Sequence, residues 1–68
     1  MMDARELKFD VDYVVKVDDA PFNKGTIVRR KLDEDDDAYT VMFIAGNKMG
    51  YLCPGEVEEV PHTNQPEI

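Results

Sequence analysis

The chain has 68 residues, room for one small domain. Hydrophobic residues make up 43% of it, too many for a wholly disordered chain, and charged residues 34%. Eight Lys and Arg stand against 15 Asp and Glu, a net charge of −7 that repels polyanions and anionic membranes on average and suits a basic partner. A single cysteine, Cys53, excludes an internal disulfide and predicts a reducing, cytoplasmic setting. Neither a run of 18 apolar residues nor the basic and apolar regions of a signal peptide are present, so no membrane association is expected.

In chain order, residues 1–8 mix charge with apolar residues and predict a short N-terminal extension of one or two helical turns, docked through Leu7 and Phe9. Residues 11–18 alternate as a strand: Val11, Tyr13, Val15 and Val17 on one face, Asp12, Lys16 and Asp18 on the other, with Val14 the exception. Residues 19–25 form a loop whose turn residues are Pro21, Asn23 and Gly25, with Phe22 among them. Residues 25–32 predict a second strand of ambiguous phase. Ile27 inward takes Arg29 with it, Val28 inward takes Arg30 and Leu32, and a bulge would reconcile Ile27 with Leu32.

Asp33, Glu34, Asp35, Asp36 and Asp37 are five acids in a row and predict an exposed turn. Residues 39–45 read as a third strand that is apolar on both faces, with Tyr39, Val41, Phe43 and Ala45 on one and Met42 and Ile44 on the other. Residues 46–50 predict a tight turn with a positive-φ glycine at each end. Tyr51, Leu52 and Cys53 make a short fourth strand, Pro54, Gly55 and Glu56 a single 3₁₀ turn, and residues 57–60 a fifth strand. The two prolines and low apolar content of residues 61–68 predict a flexible, frayed tail.

Five short strands within residues 9–60 predict an all-β domain. An antiparallel sheet this small covers its core by curling into a barrel. The Gly25-Thr26-Ile27-Val28 strand start, the Tyr39-Thr40-Val41-Met42-Phe43 strand and the Tyr51-Leu52-Cys53-Pro54-Gly55-Glu56-Val57-Glu58 ending resemble an SH3-like barrel, in the broad sense that includes Tudor-like and KOW-like modules. The resemblance implies a five-stranded barrel over residues 9–60 and a small accessory, regulatory or inhibitor protein of the kind bacteria and phages encode. The chain departs from the peptide-binding members in having no Trp, and from the usual KOW-like module in being acidic. A Tudor-like aromatic cage would have to draw on Tyr13, Phe22, Tyr39 and Tyr51, and alternation places at least two of these in the core.

The chemistry points away from catalysis. His62 falls in the tail, and Cys53 has no His or cation beside it in the sequence to lower its pKa. A calcium loop starting at Asp33 would need Gly and Glu where Ala38 and Ile44 stand, and one His with one Cys cannot build a zinc site. No enzyme activity, metal, cofactor or small-molecule substrate is expected. Lys24, Arg29, Arg30 and Lys31 gather four cations within eight residues, a basic strand that either binds nucleic acid weakly or forms salt bridges to residues 33–37 or 56–59. Val14, Val28, Met42 and Ile44 lie on faces opposite the expected core. Unless residues 1–8 and the tail cover them, they form an exposed apolar patch.

The expectation is therefore a non-enzymatic module that engages a protein partner, or a second copy of itself, through Val14, Phe22, Val28, Met42, Ile44, Met49 and Tyr51. Residues 33–37 would form an acidic steering rim. Two alternatives stand beside it: an acidic mimic of nucleic acid that blocks a DNA- or RNA-handling protein, and a weak nucleic-acid-binding barrel using Arg29, Arg30 and Lys31.

Overall fold

The computed structural model describes residues 2–61. It is all-β: β1 (Asp12–Val15), β2 (Ile27–Arg30), β3 (Val41–Ala45), β4 (Lys48–Leu52) and β5 (Val57–Glu59), with 3₁₀ turns at Ala4–Glu6 and Pro54–Glu56. The strands form one antiparallel sheet in the order β4-β3-β2-β1-β5. β4 and β5 remain edges, so strand pairing does not close the sheet into the expected barrel. His62 and the rest of the expected tail lie outside the described residues.

Register sorts the side chains between two faces. Tyr13 stands opposite Val28, Val15 opposite Val57, Arg30 opposite Phe43 and Val41 opposite Leu52. Cross-strand partners share a face, and this set turns inward to form the core, joined by Phe22 and by Ala4 and Leu7 of the N-terminal segment. The Tyr13 ring meets Phe43 edge-on, with centroids 5.6 Å apart. The Tyr13 hydroxyl accepts a 2.8 Å hydrogen bond from the Lys8 backbone N–H, which ties the N-terminal segment across the core.

Several expectations need correction. β1 ends at Val15, because Gly25 N–H bonds back to the Val15 carbonyl and the chain then leaves the sheet, so Val17 is exposed. The phase of β2 resolves with Val28 and Arg30 inward; Val28, expected on the partner-binding face, is buried in the core. No bulge forms. β2 stops at Arg30 and Leu32 is 74% exposed beyond it.

Phe22, expected at the docking surface, is also core. Asp19 and Phe22 exchange two backbone hydrogen bonds of 2.9 Å, and the Phe22 ring is buried. Gly50 then serves a different purpose from a turn. A Cβ there would lie 2.8 Å from Pro21 Cδ and 3.3 Å from Phe22 Cε2, so β4 needs a residue without a side chain at that point. The hairpin turn is only Gly46 and Asn47, with positive φ confined to Gly46, the pattern of a type II′ turn. β4 accordingly starts at Lys48, three residues earlier than expected. Phe9 and Tyr39, expected in or against the core, are exposed.

Candidate functional site

The outward face of the sheet carries the other half of the register. Val14 stands opposite Ile27 and Glu58, Arg29 opposite Asp12 and Ile44, Ile44 opposite Met49, and Met42 opposite Tyr51. Val14, Ile27, Ile44 and Met49 thus share one face, with Met42 and Tyr51 at its end. Ile27 is 48% exposed, Met49 57% and Tyr51 40%, while Val14 and Ile44 are half-buried. An apolar face of this kind on a small domain is a surface that association would bury. Of the expected contact set, Val14, Ile44, Met49 and Tyr51 come together here, and Met42 lies on the same face but is buried. Ile27 belongs to the face in place of Val28. Its shared parity with Arg29 in the sequence was the available signal.

The five acids are not a plain solvated turn, because three of their carboxylates have structural partners. Asp36 is largely buried and accepts from Met42 N–H at 2.9 Å, Asp33 N–H at 3.2 Å and Arg30 Nη2 at 3.2 Å. Burial alone would raise its pKa, but those backbone bonds and the guanidinium outweigh it and hold the carboxyl below its ordinary value. Asp37 accepts from Tyr39 N–H at 2.8 Å and Thr40 N–H at 2.9 Å, which lowers its pKa as well. Asp33 accepts from Asp35 N–H and from the Tyr51 hydroxyl at 2.7 Å. That bond, then burial and the neighbouring acids, push the Tyr51 phenol up to about 12. The loop is therefore fastened to the end of the apolar face. Glu34, Asp35 and Asp37 are exposed.

The expected basic patch is dispersed by the same contacts. Arg29 Nε bonds Asp12 Oδ1 at 2.8 Å on the outer face. Arg30 is buried: Nη1 donates to the carbonyls of Arg5 at 2.9 Å and Leu7 at 2.6 Å, Nη2 meets Asp36, and the guanidinium carbon lies 4.1 Å from the Phe9 ring centroid. Arg30 is a structural tie between the sheet, the N-terminal segment and the acidic loop, and of the three expected patch residues only Lys31 is exposed with no ion pair among the described residues.

A second concave surface lies where residues 38–40 face residues 53–55. Met2, Ala38, Tyr39, Cys53, Pro54 and Gly55 line an open, mostly apolar groove of about 720 Å³. Tyr39 is 78% exposed. Glu56, at the end of this wall, accepts from Cys53 N–H at 3.0 Å. Burial, then the Glu56 carboxylate, raises the Cys53 thiol, which suits an unreactive cysteine. Asp19 faces Glu56 as well; hydrogen bonding to that carboxyl, with burial, raises Asp19 above its ordinary value. Among the described residues no group of three or more His, Cys, Asp or Glu is placed to hold a metal ion, and no helix is long and apolar enough to cross a membrane.

No protein-family model, curated protein or solved structure matches this chain.

Proposed function

We propose that the protein is a non-enzymatic binding module that engages a protein partner through the outward face of its sheet. The observation that carries this reading is the clustering of Val14, Ile27, Ile44, Met49 and Tyr51 on one face, with three of the five at least 40% exposed. The acidic loop at the end of that face would steer it toward a basic surface and make the encounter rate fall with salt. Flexible Met49 suits a surface that adapts to its partner. A small accessory or inhibitor protein in a reducing, cytoplasmic setting fits this size and the lone cysteine.

The element order supports the SH3-like reading of the fold: strand, long loop, strand, acidic turn, two-strand hairpin, 3₁₀ turn, last strand. With Arg30 buried against Asp36 and Arg29 paired with Asp12 at the surface, the nucleic-acid-binding alternative loses Arg30 and part of the charge of Arg29. The nucleic-acid-mimic alternative loses part of its negative field, because Asp36 is buried against Arg30.

The test is light scattering after size exclusion, together with a pull-down from lysate, comparing wild type with Met49→Lys and Ile27→Lys. A self-associated or partner-bound species that both variants lose supports the reading. A strict monomer that retains no partner at low salt overturns it.

A further inference from the structure

We infer that the free edge of β4 pairs with an extended, lysine-rich segment of the partner protein, which adds to the sheet as a further strand. This pairing rests on the outward-face reading for the side chains it covers, Met49 and Tyr51, and adds the backbone that carries them. The hydrogen-bond phase of the sheet decides which groups of β4 are free. Lys31 N–H donates to the Met42 carbonyl at 3.0 Å, so Met42 and Ile44 direct their backbone groups toward β2. Val41, Phe43 and Ala45 then bond toward β4, where they stand opposite Leu52, Gly50 and Lys48. Met49 and Tyr51 alternate with those three, so their N–H and C=O groups point away from the sheet. No turn or loop backbone group among the described residues bonds to them.

The two edges of the sheet are unlike. β5 has three residues, two of them glutamates, and Pro61 follows it. Shortness, charge and proline all discourage an edge from pairing. β4 has five residues, no proline and no acid, and its one charge, Lys48, lies at the hairpin turn. Met49 is 57% exposed and Tyr51 40%, while Pro21 and Phe22 back Gly50 from the inward side. Free N–H and C=O groups on an extended chain are matched by another extended chain, with its apolar side chains beside Met49 and Tyr51. Charge separates another protein from a second copy. Asp33 accepts from the Tyr51 hydroxyl at 2.7 Å, and Glu34 and Asp35 next to it are exposed. A cationic segment is attracted to that end of the strand, whereas a second copy brings its own charge of −7.

The experiment is residue-resolved amide hydrogen exchange of the full chain, alone and with a short synthetic peptide alternating valine and lysine. Alone, the N–H groups of Gly50 and Leu52 should exchange slowly and those of Met49 and Tyr51 fast. With the peptide, Met49 and Tyr51 should slow about tenfold or more. Methylating the peptide's backbone nitrogens leaves its side chains in place and should weaken binding about tenfold or more. Glutamate in place of lysine should remove the protection. So should Met49→Pro, a substitution an edge strand tolerates where the N–H faces solvent. Ile27 lies on β2, two strands from this edge, so failures of the edge and of the sheet-face reading are distinguishable. Binding that methylation leaves intact but Ile27→Lys abolishes overturns the edge pairing and keeps the face. Methylation-sensitive protection that persists in Ile27→Lys supports the edge even where the face reading fails. Slow exchange at Met49 and Tyr51 in the chain alone, equal protection by the glutamate peptide, or no protection at millimolar valine–lysine peptide would each overturn the edge pairing.

Discussion

Arg30 and Asp36 form the one buried ion pair among the described residues, and each also holds backbone groups from other segments. Removing one charge from such a pair leaves the other buried without a counter-charge. Asp36→Asn should therefore lower unfolding free energy by about 3–5 kcal/mol in denaturant titration. The pH dependence has a defined sign. The folded-state pKa of Asp36 is depressed, so its contribution is complete above the unfolded carboxylate value of about 3.9 and is lost as pH falls through the folded value. Wild-type stability should decline below about pH 4, and Asp36→Asn should flatten that part of the curve. Phe22→Ala should cost about 3–5 kcal/mol, because the ring is fully buried; a loss under 1 kcal/mol would place it back on the surface. Neither residue was readable as core from the sequence. Phe22 lies in a loop that has no periodicity, and the pairing of Arg30 with one acid out of five depends on how the loop folds back.

At the scale of elements, the strands of the sheet were legible where period two is clean. Tyr13 and Val15 in β1 and Val41 and Phe43 in β3 point inward as alternation requires. β2 was ambiguous because both phases place an arginine inward, and only the Asp36 carboxylate and two carbonyls at Arg30 resolve it. β4 is longer than its sequence suggests because Gly50, a turn residue by type, is the place where Pro21 and Phe22 press against the sheet. Gly50→Ala should thus destabilise the fold by about 1–3 kcal/mol, measured by thermal or denaturant unfolding, since the nearest contact is a proline ring rather than a flexible side chain end. The N-terminal segment behaves as part of the core. Ala4 N–H bonds the Ala38 carbonyl at 2.8 Å and Leu7 is buried. Deleting residues 1–8 should leave a chain without a cooperative unfolding transition, because so small a domain has little stability to lose.

For the molecule as a whole, the charge of −7 is organised rather than spread. The acidic loop, fastened through Asp33 and Asp36, sits at one end of an apolar face, while four of the eight cations, Arg5, Lys8, Arg29 and Arg30, are engaged in internal pairs. The apolar face was half legible. Val14, Met42 and Ile44 stood out as surplus in the sequence, but Ile27 takes the place of Val28 on the face, and the Arg29–Asp12 pair lies among its apolar residues. Association through this face should slow several-fold as salt rises from low ionic strength to about 0.15 M, because screening shortens the reach of the loop's field to about 8 Å. The most direct measurement places a photo-crosslinking side chain at Met49, or at Lys24 on the exposed β1–β2 loop as the control, and compares what each captures in lysate. Efficient crosslinking from position 49, weak at 24 and abolished by Ile27→Lys, is the predicted result. Equal capture from both positions, or capture at 49 that Ile27→Lys leaves intact, would contradict the assignment of the outward face as the binding surface.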